Sequence, residues 1–312
     1  MSGHSVVAVV PAKDEEERIG STLTALQRIP EVGHVVVVDD GSSDQTGTVA
    51  EWVGGIDVVR HERNRGKAAA METGAARAAE LAPGAPVLFV DADLQSSAAN
   101  VAALVGPVLA GEADLTIAVL PEQDGRRKGG FGIVVRTARE GITRLTGWTP
   151  TQPLSGQRCL TREALETALP FAPGWGVEVG MTIDVLRAEG RVLEVPCALQ
   201  HRVTGRGLAD QAHRARQLAD VTRALADRSG APQAVRDGAL EMGAATRAGV
   251  GRASAVARER GVPLLEEAVR RTGPLLDRAR RQSGPVIERA KERGRPAAEK
   301  IRRRLGGTWH EL

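Results

Sequence analysis

The chain has no tyrosine, and aromatic residues of any kind make up 2% of its 312 positions. Its core must therefore be built from Val, Leu, Ile and Ala. The same scarcity argues against recognition of nucleic acid by base stacking, which needs aromatic platforms, so no nucleic-acid partner is expected. There are only two cysteines, Cys159 and Cys197. They are far apart and lack metal-ligand spacing, so they read as reduced thiols of a cytosolic protein. No apolar run approaches the roughly 18 residues that a membrane span requires. The opening MSGHSVVAVVPAKDEEE has no charged n-region and no small-residue cleavage site, so no signal peptide is expected. A Walker loop is also missing, because the GxxxxGK[ST] spacing does not occur.

What is present is apolar strands alternating with helices, 20 to 30 residues to a unit. The 42% hydrophobic fraction is enough for a real core. Strands are expected at Ser5 to Ala12, Val35 to Val38, Ile56 to Arg60, Val87 to Val90, Asp114 to Leu120 and Val192 to Leu199. Helices are expected from about Asp14, from about Gln45, over Ala68 to Leu81, Ser97 to Ala110, Ile133 to Leu145 and Met181 to Glu189. That order implies an α/β fold with a mostly parallel sheet and helices on both faces.

Three strand ends carry more charge than a turn requires. The first runs Pro11-Ala12-Lys13-Asp14-Glu15 and continues with Glu16 and Glu17. Acidic residues suit a helix N-terminus, but four exceed that need. The second is Asp39-Asp40-Gly41-Ser42-Ser43-Asp44, where a carboxylate could accept hydrogen bonds from a nucleobase or ribose. The third is Asp91-Ala92-Asp93. Two carboxylates one residue apart are poor strand residues, but at a strand end they can hold a divalent cation, and Mg²⁺ usually takes one or two carboxylates plus substrate phosphates. A turn or helix cap fits the same letters. Gly66 and Lys67 precede the Ala-rich helix and, with Arg65, form a plausible anion site.

Taken together, PAKDEE, VVVVDDGSSDQT, NRGKAAAMETGAARA and DADLQ resemble the motifs of family 2 type glycosyltransferases with the GT-A nucleotide-sugar-binding fold, over roughly residues 5–225. Further on, QPLSG, PFAPGWGVEVG and a strand followed by His201-Arg202 resemble the glucosyl-3-phosphoglycerate synthases. SGQR and Glu194-Val195-Pro196 echo the prenyl-phosphate sugar transferases. The resemblance implies a hexosyltransferase with a nucleoside diphosphate sugar as donor, UDP-linked, and Mg²⁺ or Mn²⁺ as cofactor. Donor binding would fall to Pro11, Ala12, Glu15, Asp40, Gly66, Lys67 and Asp91, and metal binding to Asp93 and His201. Glu178 and Asp93 would be the catalytic residues. Read without the resemblance, His201 is a surface histidine after a strand, and Glu178 is a helix-start carboxylate. The synthases place Arg and Thr after Gly-Gly to grip a charged acceptor, and Asn after His-Arg; here Phe131, Ile133 and Val203 stand there. Phosphoglycerate is therefore expected to be a poor acceptor, and the acceptor class stays open, a lipid-linked one included. A nucleotidyltransferase or a non-catalytic sugar-nucleotide binding protein are the alternatives from other classes.

Charge divides the chain. Residues 1–228 carry 24 Lys+Arg against 29 Asp+Glu, and residues 229–312 carry 18 against 10. The expected organisation is a catalytic domain over 1–228 and a basic tail over 229–312. In the tail Pro263, Pro274, Pro285 and Pro296 recur every 11 residues. Pro is tolerated in a helix's first turn, so the tail reads as short amphipathic helices. A solvated, partly disordered tail fits the pattern, and so does a helix that binds an anionic membrane surface. The protein is accordingly expected in the cytoplasm, with peripheral attachment to the inner face of the membrane as the finer alternative.

Overall fold

The computed structural model describes residues 5–120, 131–199 and 208–230. His201, Val203 and residues 231–312 lie outside the described residues, and with them most of the expected tail.

The chain runs β1 (Val6–Ala12), α1 (Ile19–Leu26), β2 (Val32–Asp39), α2 (Thr46–Val53), β3 (Asp57–Arg60), α3 (Lys67–Leu81) and β4 (Val87–Phe89). It continues with α4 (Ala102–Leu109), β5 (Leu115–Val119), α5 (Phe131–Thr146), β6 (Arg158–Leu160), α6 (Arg162–Ala168), α7 (Val177–Arg187), β7 (Val192–Pro196) and α8 (Leu208–Arg228). The strands form one sheet in the order β3-β2-β1-β4-β6-β5-β7. Neighbouring pairs are parallel except where β6 runs against β4 and β5. The expected mostly parallel α/β sheet is therefore present. Its strands are apolar on both sides because helices cover both faces. One core joins Val6, Ala8, Val10 and Leu88 to Ile19, Leu23, Ala50, Leu104 and Val105. The other joins Val7, Val9, Val87 and Phe89 to Met71, Ala75, Leu165 and Val177. Each fully buried Val contributes roughly 1.5–3 kcal/mol, and β1 alone buries four.

The lone antiparallel strand decides where the site lies. In the register Phe89 faces Arg158, so the end of β4 and the start of β6 meet at one rim. Asp91 and Gly156-Gln157 are brought together there, although about 65 residues separate them.

Several boundaries differ from the expected ones. Helix α1 starts at Ile19 rather than Asp14, because Asp14 has φ 53° and bonds to the next loop instead of opening a helix. The segment after Asp93 begins as a 3-10 helix, Gln95–Val101, before α4. Strand β7 stops at Pro196, which cannot donate to a ladder. Helix α7 begins at Val177, four residues early, and takes Glu178 into its first turn. The elements β6, α6 and α8 were not foreseen. β6 is three residues long and opens on an arginine, which is a weak strand signal.

Candidate active site

The first two loops of the rim are sewn together by reciprocal hydrogen bonds. Asp14 accepts from the Ser43 N–H at 2.8 Å, and Glu16 accepts from the Gln45 N–H at 2.8 Å. In return Asp44 accepts from the Glu16 N–H at 3.2 Å and the Thr46 N–H at 2.9 Å. This is where the surplus of acidic residues goes. The Glu15 N–H donates to Thr46 Oγ1 at 2.7 Å, and its carboxylate takes Arg18 at 2.8 Å. The Arg18 guanidinium is held above its usual range by Glu15 first, with help from Glu17 and Asp93. Asp93 thus lies within electrostatic reach of the Glu15–Arg18 pair. Pro11 and Ala12 sit at the end of β1, where the Ala12 carbonyl accepts the Asp40 N–H at 2.8 Å.

Asp40 is buried, and its carboxylate faces the protein. Oδ1 accepts from the Arg65 N–H at 2.8 Å and pairs with His61 Nδ1 at 2.7 Å; Oδ2 accepts from the Gly66 N–H at 2.7 Å. Burial opposes ionisation, but the N–H donors of Arg65 and Gly66 and the His61 ring outweigh it, so the pKa lies below the usual carboxylate value. The Gly66 N–H, expected to face an anion, is thus committed to Asp40, and to Asn64 as well at 2.9 Å. Gly66 reaches this geometry at φ 92°, a region that favours glycine. Asp40 acts here as the clamp that aims α3 and its first residue, Lys67, at the rim.

Lys67 is the hub. Its Nζ lies 3.0 Å from Asp91 Oδ1, 2.9 Å from Glu178 Oε1 and 5.7 Å from the centre of the Trp175 ring. Burial alone would lower its pKa, but the two carboxylates override that and push it well above the ordinary lysine value. The other oxygen of Asp91 accepts from Gln157 Nε2 at 3.0 Å. Gly156 permits this approach: a Cβ there would stand 2.7 Å from Asp91 Oδ2 and 2.9 Å from Lys67 Nζ. Both Asp91 oxygens are therefore engaged by the protein. Asp91 orients Lys67, and Asp93 stands half-buried at the rim. The turn between them is anchored from α1, where Thr22 Oγ1 donates to the Ala92 carbonyl at 2.8 Å and accepts the Gln95 N–H at 2.8 Å.

Glu178 is 2% exposed, and its Oε2 has no hydrogen-bond partner among the described residues. The buried hydroxyl of Ser155 is in the same position. Beneath them Arg158 is fully buried. It donates to the carbonyls of Ser155 (2.8 Å) and Pro153 (3.1 Å) and to Thr182 Oγ1 (2.8 Å). Its pKa is pushed down to about 10 by burial, against the pull of Glu178 and Glu194. Asp220 on α8 accepts the Trp175 N–H at 3.2 Å and so supports the loop before α7.

The description glycosyl transferase family 2 fits residues 7–157 of this chain. The solved glucosyl-3-phosphoglycerate synthase of Mycobacterium tuberculosis, in complex with Mn²⁺, uridine diphosphate and phosphoglyceric acid, superposes with a TM-score of 0.61 at 31% identity, covering 74% of this chain and 80% of that one. The chain belongs to glycosyl transferase family 2. The same enzyme solved with Mg²⁺ and uridine diphosphate gives a TM-score of 0.60 at 30% identity, covering 74% of this chain and 81% of that one. Among curated relatives, the glucosyl-3-phosphoglycerate synthase of Mycolicibacterium paratuberculosis is 32% identical over 206 residues, which are 59% of this chain and 60% of the relative. The match thus spans about three fifths of that relative's length. The expected GT-A fold is borne out by these family 2 structures.

Of the residues expected at the site, the fold brings Lys67, Asp91 and Glu178 into direct contact, with Glu15 bonded to Arg18 and Asp93 within electrostatic reach of it. His201 lies outside the described residues. Sequence reasoning gave no role to Arg18, Thr22, Trp175, Gln157 or Arg158. Trp175, Gln157 and Arg158 stood inside quoted motifs, but only the antiparallel strand and α7 reveal what they touch.

Proposed function

We propose that this family 2 chain is a metal-dependent glycosyltransferase that moves a sugar, glucose in the first instance, from a UDP-linked donor to an acceptor hydroxyl. The reading rests above all on Glu178, a buried carboxylate with one oxygen tied to Lys67 and the other without a partner among the described residues, beside the Asp91–Lys67 pair. A buried carboxylate oxygen left unsatisfied is costly, and a sugar hydroxyl supplies the missing donor. Lys67 orients that carboxylate and Asp91 together. Glu15, Pro11 and Ala12 line the nucleoside side of the rim, and Asp40 serves the donor through the 61–66 loop.

The donor set suits Mg²⁺ or Mn²⁺. Among the described residues no group of three His, Cys, Asp or Glu could hold a metal alone, and Asp93 offers a single rim carboxylate. That is the usual arrangement for a cation held by one or two carboxylates and completed by substrate phosphates. His201 would add a nitrogen ligand. When bound, such an ion offsets the charge that develops on the leaving nucleotide.

Thermal unfolding against a panel of nucleotide sugars, with and without Mn²⁺, tests the donor. A ligand at 100 times its Kd stabilises by about 2.7 kcal/mol, and UDP-glucose with Mn²⁺ is expected to give the largest shift. Product analysis separates the alternatives. A transferase releases nucleoside diphosphate, a nucleotidyltransferase releases pyrophosphate, and a binding protein leaves the donor intact.

A further inference from the structure

We infer that Arg158 is a positioning residue for sugar transfer, acting through Glu178. The inference rests on the site assignment made above. A buried arginine is normally matched by a bonded carboxylate. The hydrogen bonds of Arg158 instead go to neutral oxygens, the carbonyls of Ser155 and Pro153 and the hydroxyl of Thr182. Thr182 in turn donates to the Glu178 carbonyl at 2.9 Å. One guanidinium therefore joins the 153–157 loop, which carries Gly156 and Gln157 to Asp91, to Thr182 of α7 and through it to the turn that carries Glu178 to Lys67. Its planar fork can hold several fixed acceptors at once, which a lysine ammonium does less well.

Charged groups reach Glu178 from Lys67 on α3 and from Arg158 on β6; Asp91 stands beyond Lys67, Asp220 of α8 lies behind Trp175, and the Asp184–Arg228 pair sits toward the other end of α7. Lys67 fixes one oxygen of that carboxylate, and Arg158, through Thr182, holds the helix that carries it. When Arg158 is lost, Glu178 is free to tilt.

A double-mutant cycle separates this role from general support of the fold. R158M is expected to lower kcat with UDP-glucose on the order of 100-fold, the scale at which a small misplacement of a reacting group is felt. In an E178Q background the same change should cost no more than about twofold, since nothing is left to position. R158K should recover part of the loss. If R158M does not fold, T182V replaces it; it cuts the link between guanidinium and helix with little change of volume, and the same loss of effect in E178Q is expected. Equal losses in both backgrounds would overturn the inference. A second measurement is independent of turnover: in ¹³C-carboxyl NMR of Glu-labelled protein at one fixed pH, with the signal assigned by E178Q, the Glu178 signal should move in R158M relative to the wild type. An unmoved signal refutes the role of Arg158 even if the protein transfers no sugar. Absence of wild-type turnover with a moved signal would refute only the proposed function.

Discussion

At the residue scale, the two carboxylates of the Asp91-Ala92-Asp93 turn have separate surroundings. Asp91 is engaged by Lys67 and Gln157, and under the proposed function the metal-bound donor would rely on Asp93. Asp93→Ala is expected to abolish donor turnover and leave the fold largely intact, because the truncated side chain is a half-buried one at the rim. Full activity in that variant, or in excess chelator, would remove the metal from the reading. Lys67→Met should behave differently. It leaves Asp91 and Glu178 facing each other partly buried, and breaking such a pair costs about 3 kcal/mol or more. The pH dependence follows from the raised Lys67 pKa. The contribution is fully present below the unfolded-state lysine value of about 10.4 and is lost only as pH rises through the folded one. Urea denaturation should therefore give the same gap between wild type and variant at pH 6 and pH 9.

At the element scale, loops are held by carboxylates that accept main-chain N–H groups. Asp40 clamps the 61–66 loop, Asp14, Glu16 and Asp44 join the first two rim loops, and Glu194 on β7 accepts the N–H groups of Thr151 (2.7 Å) and Gln152 (2.9 Å). Gln152 then bonds both backbone groups of Leu120 through its amide. The Glu194-Val195-Pro196 echo thus has a physical content: its carboxylate positions the loop that leads to Gly156. Asp40→Asn tests such a clamp. Its amide NH₂ would meet either the Gly66 N–H or the His61 ring, and a loss of about 2 kcal/mol is expected. Since the folded-state pKa of Asp40 is depressed, its contribution is present above the unfolded value of about 3.9 and disappears as pH falls through the folded one. The gap between Asp40→Asn and wild type should shrink between pH 7 and pH 3, and a gap that stays constant would argue against the clamp.

At the scale of the whole molecule, two questions of partnership remain, acceptor and surface. Ile133, at the head of α5, is 58% exposed and carries no group that can bind a phosphate. Phosphoglycerate is expected to be a poor acceptor, and efficient glucosyl transfer to it in a coupled assay would refute that. No helix among the described residues is long and apolar enough to cross a membrane. The tail, residues 229–312, is nevertheless strongly basic, and each basic residue near an anionic leaflet contributes on the order of 1 kcal/mol. It is expected to co-sediment with anionic vesicles at low salt and to be released by added salt. A tail that stays in the supernatant would instead read as a linker or a protein-partner segment.

Much of this was legible in the sequence, and the limit has a physical cause. Apolar strands and Ala-rich helices recur with local periodicity, so the parallel α/β sheet and the charged ends of β1, β2 and β4 could be read from neighbouring residues alone. Lys67, Asp91 and Glu178 could be singled out as motif members. What each carboxylate touches could not, because hydrogen bonds form between segments remote in sequence. The spare acidic residues after β1 read as helix caps or ligands until the second loop was placed against them. Asp40 read as a nucleotide contact, and its bonds to the 61–66 loop were not readable beside it. Arg158 read as one letter of a motif until a three-residue strand, too short to carry a periodic signal, ran antiparallel beside β4 and buried its guanidinium against Thr182 of α7. Local pattern determined the elements and the rim, whereas the tertiary structure alone decided which charges meet there, since a short buried strand is set by the neighbours it pairs with and not by its own sequence.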